Sequence, residues 1–319
     1  VTKRAELVQI IEELDGRLPV THSTPAATLT ARVLTLWDKT LSPIERRQTS
    51  LPDEARLLDV TEQLDVVAAA FSDCLWIETT SKAEPIQVPV PADSAAFIAP
   101  DRLLITAPSA WRPGRQFSES HRVLLLNLAG EILAETLVEV DDATPHLLRH
   151  PTDPTVVCDF AMGQDGNTLA VIQAADDELV LREIFRTEEF VNLAFDPTGK
   201  RLLLGPYPTD PSRAVVASWP NLDILASLDA ESLGLAIGFD IHGGYLNDDR
   251  VLLLGTEQAP VLATGSLTDA TIIDMKDLEA WAGADGFVES IAPLSDDLFA
   301  AVLWEHGQRT TTLWRICDG

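Results

Sequence analysis

Short polar turns alternate with apolar runs along this chain, and six of the turns share one form. Ser72-Asp73 precedes Cys74-Leu75-Trp76-Ile77, Pro100-Asp101 precedes Arg102-Leu103-Leu104-Ile105, and Gly166-Asn167 precedes Thr168-Leu169-Ala170-Val171. Gly199-Lys200, Asp248-Asp249 and Ser295-Asp296 stand in the same way before 201–204, 250–253 and 297–300. Each turn also follows an apolar stretch, so each predicts a β-hairpin between two buried strands. The residues after the turns begin at 74, 102, 168, 201, 250 and 297, intervals of 28, 66, 33, 49 and 47. These average about 45, the length of a repeating four-stranded unit. The best internal match sets Ala161–Val171 against Ala194–Leu204, with Gly166 on Gly199 and Leu169 on Leu202.

Before residue 53 the pattern reads differently. Leu7, Ile10, Ile11 and Leu14 make one helical stripe ended by Gly16, and Thr24-Pro25 opens a second, with Leu29, Val33, Leu36 and Trp37 on one face before Pro43. The expectation is a short α-helical N-terminal segment over 1–52 docked on a β domain over 53–319. Leu57, Val60 and Leu64 also fit a helical face. Strands fit better, because 57–60, a polar turn at 61–63 and 64–70 lead directly into the first hairpin turn.

The run Phe195-Asp196-Pro197-Thr198-Gly199-Lys200-Arg201-Leu202-Leu203 resembles the element of WD40-like and related β-propellers in which a phenylalanine, a proline–glycine turn and an apolar strand follow one another. Arg56-Leu57-Leu58-Asp59-Val60 is similar to the end of a blade's third strand. The resemblance covers roughly residues 55–319, and the Gly-His dipeptide of the strict WD40 pattern is missing. It implies a mainly β fold, a β-propeller of four-stranded blades, six or seven in number. It also implies closure by an N-terminal strand on the last blade, for which 57–70 is the candidate. Propellers serve as enzymes, scaffolds and receptors alike, so the fold leaves the activity open.

Charge narrows the partners. Fifty acidic residues face 23 basic ones, a formal −27, and 23 of that excess falls in 76–319. Nucleic acid and anionic membrane surfaces are repelled by such a field. The plain reading is a solvated acidic surface that keeps the protein soluble, and the sharper alternative is a surface built for a basic partner, or an anion mimic. Five basic residues are Lys and eighteen Arg, which reads as a compositional habit. No apolar run reaches 18 residues, so no spanning segment is expected. Cys74, Cys158 and Cys317 are odd in number and far apart, which fits a reducing compartment, the cytoplasm.

Catalytic signatures are missing: no GxSxG, Walker A, HExxH or GxGxxG is present, so no catalytic residue, metal or cofactor is assigned. His146 and His150 have i, i+4 spacing but lack the glutamate of a metalloprotease and run into Pro151; an ordinary loop is expected there. The acidic pairs at 141–142, 176–178, 248–249 and 296–297 read as turn residues.

The loops are more informative. Second-to-third strand connections of propeller blades share a face, and the set assigned here is 107–121, 173–178, 205–213, 255–260 and 304–309. Trp111, Arg112 and Arg115 form a basic, aromatic cluster in the first, Tyr207 sits among prolines in the third, and Trp304, His306 and Arg309 occupy the last. Trp, Tyr and Arg dominate interface energetics. Trp219, Trp281 and Trp314 read as core. The leading reading is a non-enzymatic module binding a protein or peptide through the face carrying 107–121. A propeller hydrolase or lyase at the channel mouth, drawing on Asp240, His242, Glu305 and His306, is the alternative. An acidic inhibitor or immunity-type protein neutralising a basic partner is a third.

Overall fold

The expected N-terminal helices are strands. The computed structural model describes residues 3–14, 18, 26–61, 63–109, 120–140, 143–175, 177–187, 189–256, 259–275, 278 and 286–318. Strand β1 spans Lys3–Ile10, and β2 (Ala26–Thr30), β3 (Val33–Trp37) and β4 (Pro43–Gln48) form a three-stranded sheet. The β2–β3 turn is Ala31-Arg32, with φ of 47° and 65°. A tight hairpin turn of this kind normally advertises itself with Asn or Gly, and here it does not. The signal that discriminates is the spacing of Thr28, Thr30, Val33 and Thr35, whose branched Cβ atoms favour strands. The chain's Trp-Asp dipeptide, Trp37-Asp38, ends β3; Trp37 is buried and its Nε1 donates to Thr28 Oγ1 at 2.9 Å.

The remaining strands form consecutive antiparallel sets. One sheet holds β5 (Arg56–Val60), β6 (Val66–Phe71), β7 (Cys74–Thr79) and β8 (Ile86–Val88). The next holds β9 (Ser94–Ala99), β10 (Arg102–Pro108), β11 (His121–Asn127) and β12 (Ile132–Val138). Then come β13 (Thr144–Arg149), β14 (Thr155–Ala161), β15 (Asn167–Ala175) and β16 (Glu178–Thr187), followed by β17 (Phe190–Phe195), β18 (Arg201–Pro206), β19 (Arg213–Ser218) and β20 (Ile224–Asp229). The last strands are β21 (Phe239–Asn247), β22 (Arg250–Gly255), β23 (Pro260–Thr264), β24 (Ala270–Met275), β25 (Phe287–Pro293), β26 (Leu298–Glu305) and β27 (Gln308–Asp318). They share one eight-stranded sheet, ordered β21-β22-β23-β24-β1-β27-β26-β25. The strand that completes the last set is therefore β1, antiparallel to β27 and parallel to β24, and not 57–70, which belong to β5 and β6.

All six sequence turns join strands of a hairpin. Four connect first to second strands; those at 72–73 and 162–166 connect second to third, which is why the intervals scatter. Counted from first strands, β5, β9, β13, β17, β21 and β25 begin 38, 50, 46, 49 and 48 residues apart.

The chain divides into two compact units, one of residues 1–19, 39–42 and 188–319, the other of 20–38 and 43–187. In each, the core lies between successive sheets. In the second unit, Leu58, Ile77, Phe97, Leu103 and Leu124 form one layer, and Leu104, Val123, Val156, Phe160 and Ile172 the next. In the first, Leu203, Val216, Phe239 and Leu253 fill one layer, and Leu252, Phe299 and Trp314 another. Each such side chain contributes about 1.5–3 kcal/mol.

First strands stand side by side within a unit and have no ladder partner on their free edge. Charged side chains take that role in the second unit. The buried Asp59 Oδ2 accepts the Phe97 N–H at 2.6 Å, and Arg149 Nη1 donates to the Phe97 carbonyl at 2.9 Å. His146 and His150 do not form a metal pair: His146 lies within β13, and the buried His150 closes the following turn, Nδ1 accepting N–H groups of Thr152 (3.2 Å) and Asp153 (3.0 Å). Among the described residues no group of three or more His, Cys, Asp or Glu could hold a metal, and no helix is long and apolar enough to cross a membrane.

Candidate functional site

In an up-and-down four-stranded sheet, the second-to-third connection lies at the same end as the start of the first strand. We call this the loop end and the opposite one the turn end. Connections 109–120, 207–212, 256–259 and 306–307 are all second-to-third, as the sequence assigns them. The segment 173–178 is a correction: it is the β15–β16 hairpin, at the turn end of its sheet, and 162–166 takes its place.

The turn ends are structural. The buried Asp196 Oδ1 accepts N–H groups of Lys200 and Arg201 at 2.8 and 3.0 Å, while Oδ2 accepts Thr198 Oγ1–H and Arg201 Nε–H, each at 3.0 Å. Burial pushes this carboxyl up, and the donors from Arg201, Thr198 and Lys200 more than offset it, holding it below the ordinary range. Arginines that open second strands reach into the following set of strands. Arg102 meets Asp177 at 3.3 Å, Arg201 bonds the carbonyls of Gly265 (3.2 Å) and Asp248, and Arg250 bonds that of Asp296. The arginine bias has a geometric use, since a planar guanidinium serves several acceptors at once.

At the loop ends, a His or Arg opening the third strand meets a carboxylate near the start of the first. In the second unit this is the buried His121, with Nε2 3.3 Å from Asp93 and its ring 6.0 Å from Phe160. In the first unit, Arg213 lies 3.8 Å from Glu189 and over Phe190, 5.2 Å from the ring centroid. Arg309 grips Glu289 through two 2.6 Å hydrogen bonds, beside the stacked Phe287–Trp304 pair, centroids 5.2 Å apart. The Arg309 hydrogen bonds hold Glu289 below the ordinary carboxylate range, with burial opposing and the charges of Arg309 and His242 adding. Glu289 sits at a bulge between Val288 and Ser290. The neighbouring β21 is irregular from Phe239 to Gly243, where Asp240 Oδ1 and His242 Nδ1 lie 2.5 Å apart. Bulges re-aim side chains in this way.

The expected site residues separate into three groups. Trp111, Arg112 and Arg115, like Trp281, lie outside the described residues. Tyr207, expected as an exposed contact, is only 3% exposed. Its loop folds inward through Tyr207 N–H to Glu189 O, Ala230 N–H to Ser212 O and Phe239 N–H to Pro211 O. Trp304, His306 and Arg309 come together on the β26–β27 hairpin, Trp304 paired across from Arg309 and His306 in the turn with φ of 48°. Trp304 is half-buried, and the His306 side chain is 72% exposed, 3.4 Å from Glu305. Of the tryptophans read as core, Trp314 is fully buried, and Trp219 is half-buried edge-on to Phe195. Sequence reasoning missed Phe287 and Glu289, because a one-residue bulge leaves no mark in a Val-Glu-Ser run.

No protein-family model matches the chain, and no curated protein does. Solved structures do. The Dos1 propeller aligns at 11% identity and TM-score 0.55, covering 89% of this chain and 73% of that one. The C-terminal WD40 domain of Sif2 aligns at 8% identity and TM-score 0.59, covering 95% and 84%. Sqt1 of Saccharomyces cerevisiae aligns at 8% and 0.54, covering 92% and 84%. At such identities the likeness carries architecture alone, and the architecture is plain: this chain has a WD40-like β-propeller fold.

Proposed function

We propose that the chain is a non-enzymatic interaction module that binds a protein or peptide partner through its loop ends. The observation that carries this reading is the β26–β27 hairpin, which presents Trp304, His306 and Arg309 together on a scaffold whose opposite ends are taken up by structural hydrogen bonds. In the other unit, the loop 107–121, with Trp111, Arg112 and Arg115, is proposed as a contact on its sequence. The −27 formal charge supports a basic partner, and three free cysteines support a reducing, cytoplasmic setting.

The test is a paired capture from source lysate, comparing wild type with a W111A/R112A/R115A variant and a H306A variant of equal thermal stability. A protein retained by wild type and lost by either variant supports the module and places its contact. Retention by all three baits puts binding elsewhere. The 2.5 Å Asp240–His242 contact favours a second reading, a hydrolase at this end. A panel of ester and phosphoester substrates tests it; turnover absent, or unchanged in His242→Ala, ends that reading.

A further inference from the structure

We infer that the loop end of the 188–319 unit receives a basic peptide segment anchored by an apolar side chain. This rests on the reading above and adds the apolar anchor and the residues that meet it. Ile237 is 63% exposed and Ile241 43%, and Ile237 is the most exposed large apolar residue among those described. Its position is built in rather than slack. Gly238 has φ of +132°, and a Cβ there would lie 2.1 Å from Pro211 O. The Phe239 N–H bonds Pro211 O at 2.8 Å, and Thr256 donates its N–H and Oγ1–H to Gly238 O at 2.9 and 3.0 Å. The segment is thus pinned from both sides with its isoleucines in water, the preorganised state that binding rewards.

The surroundings select the partner. On the adjacent β25 and β26, Phe287 and Trp304 form a half-buried aromatic pair. Charges at this end of the unit are Glu189, Glu231, Asp240, Glu289 and Glu305 against Arg213 and Arg309, which face Glu189 and Glu289. An apolar side chain of the partner covers Ile237 and Ile241, and Lys or Arg residues flanking it face the carboxylates and the Trp304 ring. An acidic or uncharged segment would desolvate those carboxylates without recompense.

The test is selection from an unbiased random-peptide library against the whole protein. Enriched peptides are expected to carry two or more Lys or Arg around an apolar residue. Their affinity for an I237S/I241S variant of unchanged melting temperature should fall about tenfold or more. It should fall several-fold for E231Q/E305Q and as salt rises from about 0.05 to 0.5 M. Enrichment without a basic bias, no enrichment, or binding untouched by I237S/I241S overturns the inference. So does a concentration-dependent dimer abolished by I237S/I241S, which assigns the patch to a second copy. If a lysate partner maps to the loop ends yet binds without salt dependence, this inference fails while the interaction module stands.

Discussion

Replacing Asp159 by asparagine stabilises the protein at neutral pH and leaves it nearly unchanged in acid. Asp159 lies on β14, 2% exposed, with Oδ1 accepting from Asn167 Nδ2 at 2.8 Å. Burial raises its carboxyl from an ordinary 3.8 to about 6, and the Asn167 hydrogen bond only partly opposes this. Below about pH 3 the group is largely protonated folded and unfolded, so it favours neither state. Between about 4 and 6 the native protein keeps a proton that the unfolded chain releases, so stability falls as pH rises. Above 6 the fold carries the whole penalty, about 3 kcal/mol for a shift of this size at 1.36 kcal/mol per pH unit. An asparagine carbonyl can accept the same Asn167 hydrogen bond without charge. Denaturant titrations of wild type and D159N at pH 4, 5, 6, 7 and 8 read the difference directly. It should be small at pH 4, widen between 4 and 6, and hold level above about 7. A flat difference, or one that opens in acid, refutes the reasoning.

Other outcomes follow from the hydrogen bonds. Asp196→Ala removes the buried acceptor of four donors in one turn and should cost about 2–4 kcal/mol by denaturant melt. Asp59→Ala leaves the Phe97 N–H without its Asp59 acceptor on a strand edge and should cost about 1–3 kcal/mol, whereas Asp59→Asn, which keeps a carbonyl, should cost less. Gly238→Ala places a Cβ against Pro211 O and should lower the melting temperature, with a loss of about 2 kcal/mol or more. Arg309→Ala should return the Glu289 carboxyl toward its ordinary range, seen by NMR titration, with the fold retained.

Much of the architecture is legible in the turns. Asp101-Arg102, Lys200-Arg201 and Asp249-Arg250 mark four-strand units, and the same arginines tie their strands to the following set, a role that composition alone conceals. The N-terminal strands are illegible for a local reason: a tight turn at Ala31-Arg32 without glycine or asparagine, and a stripe from Leu7 to Leu14 that fits helical spacing by coincidence. β1 owes its form to tertiary pairing. Only Ala5 on it is buried, and the edges of β24 and β27 supply its hydrogen bonds. At the loop ends, residue type points to Trp304, His306 and Arg309 but fails for Tyr207, because exposure depends on how a loop folds back. Ile237 escaped notice because an exposed isoleucine looks like any other apolar residue in one dimension.

The central claim is that the loop ends are the working ends. Hydrogen–deuterium exchange of the whole protein, alone and with the partner captured from lysate, tests it most directly. The account predicts protection confined to loop-end segments, chiefly 107–121, 237–242 and 304–309. Protection centred instead on the turn ends at 100–101, 197–200 and 248–249, or on the outer strands, would contradict it.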